Sequence, residues 1–191
     1  MHKTLLEPAQ SPLPGEAPRT VVRSAKSEDV AGMAQILVTG FALVPWLWMT
    51  PIMEAGIQAD LQSRMGRSNS YQAFVAVDPD RPSEVLGTVE VTLQKAALGK
   101  PIYPYLASLT VASGHRRSGI ARQLIAACEQ QVYLWNRDDL YLHVLADNAA
   151  ARRLYLRLGY CIHAQMSFLN PSRWVMENRL LLHRNLIPMQ R

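Results

Sequence analysis

The chain has 191 residues, 49% of them hydrophobic, which suits one globular domain with a sizeable core. Its net charge is +5 and its isoelectric point near 9.5, a modest basic excess with no dense Lys/Arg run; this fits a polyanionic small ligand as well as an acidic surface, and no nucleic-acid partner is expected. No apolar run is long enough to span a bilayer, Cys128 and Cys161 stand far apart in no ligand spacing, and the five histidines form no cluster, so the expectations are no membrane span, a reducing compartment and no metal.

In chain order, Met1 to Arg19 carry Pro8, Pro12, Pro14 and Pro18 with little apolar periodicity, which predicts a flexible leader over 1–19 ahead of one domain over 20–191. The leader lacks the apolar region of a secretory signal. As a transit peptide it is short, poor in arginine and carries Glu7 and Glu16, so a cytoplasmic setting is expected, with an organelle stroma second. Thr20–Ala25 predicts a short strand. Ser27-Glu28-Asp29 caps a helix whose apolar positions, Val30, Met33, Ile36, Leu37 and Phe41, recur at helical spacing. Phe41–Thr50 is apolar and aromatic (Val44, Trp46, Leu47, Trp48, Met49), broken by Pro45 and closed by Pro51. It reads equally as a pocket-lining bend and as ordinary core.

A helix over Ile52–Met65 follows. Tyr71–Val77 and Val85–Leu93 predict a hairpin about the turn Asp78-Pro79-Asp80-Arg81-Pro82, and Gln94–Lys100 a loop. Tyr103–Val111 predicts a strand, and the helix after it runs to about Trp135 with Ile120, Leu124, Cys128, Val132 and Trp135 on one face. Leu140–Leu145 predicts another strand. Asn148 caps a helix that ends at Gly159, and the strands Tyr160–Phe168 and Val175–Asn185 close the chain, joined at Asn170-Pro171. The pattern is an α/β (α+β) domain with a mixed, mostly antiparallel twisted sheet of about seven strands.

The stretch from Leu109 to Ala121 carries the clearest chemistry. An apolar strand ends in a small polar turn, and Arg116-Arg117-Ser118-Gly119-Ile120-Ala121 leads into a helix. N–H groups of the loop and the first helical turn lack intrahelical acceptors, and the helix dipole reinforces them, so they favour a phosphate. Gly119 permits close backbone approach and the arginines add charge that does not titrate. A basic helix start on a surface loop is the plainer alternative.

Two motifs in order make the chain resemble the GCN5-related N-acetyltransferase (GNAT) superfamily over about Thr20 to Asn185. The family pattern Arg/Gln-x-x-Gly-x-Gly/Ala stands here as Arg116 to Ala121. A second signature stands as Asn148-Ala149-Ala150-Ala151-Arg152-Arg153-Leu154-Tyr155, followed by Leu158-Gly159-Tyr160. The resemblance implies the GNAT fold and acetyl-CoA as co-substrate, with no metal. Its pyrophosphate would lie on Arg116, Arg117, Ser118, Gly119, Ile120 and Ala121, and its pantetheine would pair with the backbone of Leu109, Thr110 and Val111 like an added strand. Asn148 would contact the cofactor arm, and Tyr155 would give a proton as the thiolate leaves. Each also has a local reading, Asn148 as an N-cap and Tyr155 as a core aromatic.

Acyl transfer requires a neutral amine. An α-amino group ionises near 7.7 to 8.0, whereas a lysine near 10.4 lies about three units above neutrality, roughly 4 kcal/mol away from its reactive form. His143, in Tyr141-Leu142-His143-Val144, is the first candidate base. It resembles a histidine of one eukaryotic group of protein N-α-acetyltransferases that reads Tyr-Leu-His-Val on this strand. In that group a tyrosine four residues before the leucine of the preceding strand assists; counting back from Leu109 gives Tyr105. Glu90, between Val89 and Val91, is the second candidate base, or else a solvated residue.

The end strand Asn178-Arg179-Leu180-Leu181-Leu182-His183-Arg184-Asn185 looks most like the cyanobacterial and plastid branch, which acetylates protein N-termini and lysines. The leading expectation is a protein acetyltransferase whose substrates are protein N-termini or lysine-bearing proteins. An enzyme for small amines (arylalkylamine, polyamine or antibiotic) is the runner-up, and a non-catalytic acetyl-CoA-binding module the third.

Overall fold

The computed structural model describes residues 20–40, 50–66, 69–95, 102–170 and 175–186. The expected leader, the aromatic stretch with Trp46, Leu47 and Trp48, and the turn at 171–174 lie outside the described residues.

The elements run β1 (Val21–Ser24), α1 (Val30–Gly40), α2 (Thr50–Met65), β2 (Tyr71–Asp78), β3 (Arg81–Lys95), β4 (Ile102–Val111), α3 (Ile120–Leu134), β5 (Asp139–Leu145), α4 (Ala149–Arg157), β6 (Cys161–Asn170) and β7 (Val175–Asn185). Seven strands form one sheet in the order β1-β2-β3-β4-β5-β7-β6. Every neighbouring pair is antiparallel except β4 with β5. Arg81, Pro82 and Gln94, expected in turn and loop, belong to β3, because the β2–β3 ladder extends to Asp78–Arg81 and the β3–β4 ladder to Lys95–Ile102.

Both faces of the sheet's first half are covered, so β2 is apolar nearly throughout. Tyr71, Ala73, Val75 and Val77 face α1 and α2, packing with Val30, Met33, Leu37 and Leu61. Phe74 and Ala76 face the other way, with α3 and α4. The α3 stripe is as periodicity demands: Ile120, Leu124, Cys128 and Val132 are buried, and Trp135 packs beside them. Gly87 of β3 brings α3 close, since a Cβ there would meet Ile120 Cγ2 at 3.0 Å and Leu124 Cδ1 at 3.1 Å. That contact seats the N-terminus of α3 at the end of β4.

The start of α1 is held by a residue of the expected Ser27-Glu28-Asp29 cap. The carboxylate of Asp29 accepts the Lys26 N–H at 2.7 Å and two Arg23 donors at 2.6 and 2.8 Å. Asp29 is buried, so a two-pronged partner offsets its desolvation. The end of α4 is as predicted. Gly159 N–H reaches Leu156 O and Tyr160 N–H reaches Tyr155 O, both at 3.1 Å, closing the helix. Both cysteines are free thiols, Cys128 buried and Cys161 exposed.

Candidate active site

The site grows out of the parallel pair in the sheet. β4 and β5 pair at Tyr105–Tyr141 and Leu106–Leu142 and then part. On its other side β4 stays on β3 as far as Val111, with a register shift beyond Thr88. Ser108, in the middle of β4, has φ of 58°. A non-glycine residue in the left-handed region is strained, and such bulges re-aim backbone groups. Among the described residues, the edge of β4 facing β5 therefore has no strand against it from Ala107 onward. A cleft of about 340 Å³ opens there, lined by Leu109 on one side, by His143 and Leu145 on the other, and by Asn148 and Tyr155 from α4.

Tyr105 and His143 meet at the closed end of this cleft. Tyr105 opposes Tyr141 in the ladder, so Tyr105, Tyr141 and His143 share one face of the sheet. The Tyr105 hydroxyl lies 2.9 Å from His143 Nδ1. Nε2 of His143 is buried and has no hydrogen-bond partner among the described residues. Burial, aided by the charge of Arg179, lowers the His143 pKa below the ordinary histidine value. Burial raises that of Tyr105. The imidazole is thus held neutral and the phenol protonated at neutral pH. Two proton arrangements satisfy the contact. If Nδ1–H donates to the tyrosine oxygen, Nε2 presents a lone pair. If the hydroxyl donates to Nδ1, a proton can pass through Tyr105 to the ring.

Tyr155, on α4, comes to the cleft because the Asn148 cap sets the start of that helix beside it. Asn148 Oδ1 accepts the Ala151 N–H at 3.1 Å, so it is an N-cap and also lines the cleft. The Tyr155 ring is buried, edge-on to Tyr160 at 5.6 Å. Burial, with smaller contributions from Cys128 and Tyr105, raises its pKa, so it keeps its proton.

Below the cleft, the Arg116–Ala121 loop has the form of an anion cradle. Arg117 and Gly119 take positive φ (70° and 88°), which curls the backbone so that successive N–H groups converge. Among the described residues, the first backbone N–H after Arg116 to find an acceptor in the protein is that of Gln123, to Gly119 O at 3.2 Å. The six N–H groups from Arg117 to Arg122 thus have no acceptor among the described residues. Ser118 Oγ donates to His115 O at 2.6 Å and Arg116 Nε to Val111 O at 3.2 Å; both contacts tie the loop to its own ends. Thr110 is buried, and Leu109 and Val111 are half-buried at the end of β4.

Glu90 stands apart from this assembly. It is 1% exposed and faces α2, where Oε2 accepts from Tyr71 Oη at 2.8 Å and Arg64 Nη1 at 2.7 Å. Arg64 is also paired with Asp60. Glu90 is neither solvated nor among the residues lining the cleft. The apolar strand hid its partner, which comes from α2, 26 residues earlier.

Two cleft residues escaped the sequence reading. Ser108 carries no local signal, since a serine in a strand does not announce a bulge. Arg179 lines the cleft from β7, opposite Leu145. Its alternation with Leu181 and His183 marks a shared face, but only the strand order reveals that this face meets β5.

Residues 42–160 match the family model described as Acetyltransferase (GNAT) family. The chain belongs to this family. GCN5-related N-acetyltransferase 10, chloroplastic, of Arabidopsis thaliana is 35% identical over 106 residues, covering 52% of this chain and 41% of that protein. N-alpha-acetyltransferase 30 of Schizosaccharomyces pombe is 31% identical over 94 residues, 49% of this chain and 60% of that protein. The matches thus span less than two thirds of either relative's own length. Among solved structures, Arabidopsis thaliana NAA60 in complex with acetyl-CoA superposes with a TM-score of 0.64 at 19% identity, covering 88% of this chain and 99% of that one. That likeness speaks for the fold.

Proposed function

We propose that the protein is an acetyl-CoA-dependent N-acetyltransferase that acts on protein N-terminal α-amino groups, with lysine ε-amino groups as a second acceptor. The observation that carries this reading is the Tyr105–His143 contact at the closed end of the cleft. When bound, acetyl-CoA supplies the acetyl group as a thioester. The N–H groups of 117–122, left without an acceptor among the described residues, and the arginines beside them fit its pyrophosphate. The unpaired edge of β4 from Ala107 to Val111 fits the pantetheine amides as an added strand.

The acceptor amine attacks directly, without a covalent enzyme intermediate. The bond from nitrogen to the carbonyl carbon forms as the carbon–sulfur bond breaks. His143 takes up the amine proton, through Tyr105 or a water. Tyr155, still protonated, donates to the sulfur as negative charge gathers there. An α-amine suits this base, because a sizeable share of it is already neutral near pH 7.4. The Schizosaccharomyces pombe relative, named an N-alpha-acetyltransferase, supports the α-amino preference. No helix among the described residues is long and apolar enough to cross a membrane. A cytoplasmic setting is the reading, and the chloroplastic names of the Arabidopsis relatives support a plastid stroma as the other.

The test is a peptide library incubated with acetyl-CoA and read by mass spectrometry. Acetylation at peptide N-termini, with less at lysines, is the expected result. No peptide acetylation, with turnover of small amines, would sink the reading in favour of a small-molecule acetyltransferase. Binding of acetyl-CoA without turnover of either class would leave a non-catalytic module.

A further inference from the structure

We propose that Arg179 selects acceptors that carry a carboxylate within a residue or two of the reacting amine; this rests on the peptide reading above. Among the described residues lining the cleft, Arg179 bears the one permanent charge, and the rest are neutral or, like His143, held uncharged. It lies opposite Leu145 on β7, and alternation puts it on the same sheet face as His143. Its side chain is 45% exposed, so it stands at the mouth of the cleft, where the acceptor chain must leave the reacting centre.

Its charge is felt inside. It works to lower the pKa of both His143 and Tyr105, so it is electrostatically coupled to the place where the amine reacts. A guanidinium offers a planar fork of donors that matches a carboxylate. Glu177 of the same strand already approaches that fork, with Oε2 3.8 Å from Nη2. This ion pair is longer than a hydrogen bond, and an acceptor carboxylate would share or displace it at shorter range. An acceptor with a basic side chain there meets like charge and is disfavoured.

The experiment uses three peptides that differ only in the residue after the amine, which is Asp, Ala or Lys. Each is acetylated by the full chain with acetyl-CoA, and by Arg179→Gln, Arg179→Glu and Arg179→Lys, with thermal melts to establish that each variant is folded. The wild type is expected to favour the Asp peptide over the Lys peptide by roughly tenfold, seen in KM rather than kcat and equal to about 1.4 kcal/mol. The preference flattens in Arg179→Gln, reverses in Arg179→Glu, persists in Arg179→Lys and shrinks as salt is raised. Equal use of the three peptides by the wild type, or an acidic preference that survives in Arg179→Glu, overturns the proposal. So does an equal change for all three peptides with a displaced pH profile, which would restrict Arg179 to tuning His143. If small amines are acetylated and no peptide is, the peptide reading itself fails and this proposal fails with it, a result distinct from peptide turnover without charge preference.

Discussion

Glu90 and His143 are both polar side chains set in strands of one sheet, and the sequence offers both as bases. Glu90 lies where β3 is covered by α2, off the cleft, and Tyr71 and Arg64 both donate to its Oε2, while its Oε1 is buried with no hydrogen-bond partner among the described residues. His143 lies where β5 leaves β4, in the cleft, and among the described residues its side chain has one hydrogen bond, to Tyr105, with its other ring nitrogen unmatched. The same contrast separates the two regions as wholes. In the covered half, Asp29 and Arg23 form a two-pronged pair that anchors α1 to β1. In the cleft half, the N–H groups of 117–122 and the β5-facing edge of β4 beyond Leu106 have no backbone partner among the described residues. A buried polar group left unmatched costs free energy, and both Glu90 and His143 carry one such atom; what separates them is place, since His143 lines the cleft and Glu90 does not.

If that contrast is right, changes in the cleft should lower the rate and leave the fold intact. The largest such effect is expected at Tyr155. Tyr155→Phe keeps the ring against Tyr160 and removes only the hydroxyl, so kcat should fall by about 10²-fold while the melting temperature barely moves. An unchanged kcat would reduce Tyr155 to a packing residue. A smaller effect is expected at the loop. Arg116→Ala should raise the KM for acetyl-CoA by roughly tenfold, about 1.4 kcal/mol, with kcat little altered. An unchanged KM, measured by initial rates across acetyl-CoA concentrations, would count against the phosphate role of the cradle.

Much of this was legible in the chain because its signals are local. The α3 stripe from Ile120 to Val132, the Asn148 cap and the Gly159 stop are each set within a few residues, and the structure repeats them. The nearness of Tyr105 and His143 was also foreseen, through a family resemblance rather than through any spacing. What stayed hidden depends on contacts distant in sequence. Glu90 acquires Arg64 only when α2 folds over β3. Arg179 reaches the cleft only because β7 inserts between β5 and β6. The bulge at Ser108 arises from a register shift between two strands, and no single residue encodes it.

The most direct measurement compares His143→Ala with Glu90→Gln, taking kcat per folded molecule and the stability of each. For His143→Ala, kcat should fall by at least about 10²-fold with stability nearly kept. For Glu90→Gln, the lost ion pair to Arg64 should cost about 1–3 kcal/mol, at the low end because that arginine is 35% exposed, while the rate survives. Beyond the loss of rate below about pH 8 as the acceptor amine is protonated, the wild type should show a second acid limb only below the ordinary histidine range, since the lowered His143 pKa keeps the ring neutral until then. That acid limb should disappear with the imidazole. A Glu90→Gln enzyme that folds but is inactive, beside a His143→Ala enzyme of undiminished rate, would contradict the account and return the base to β3.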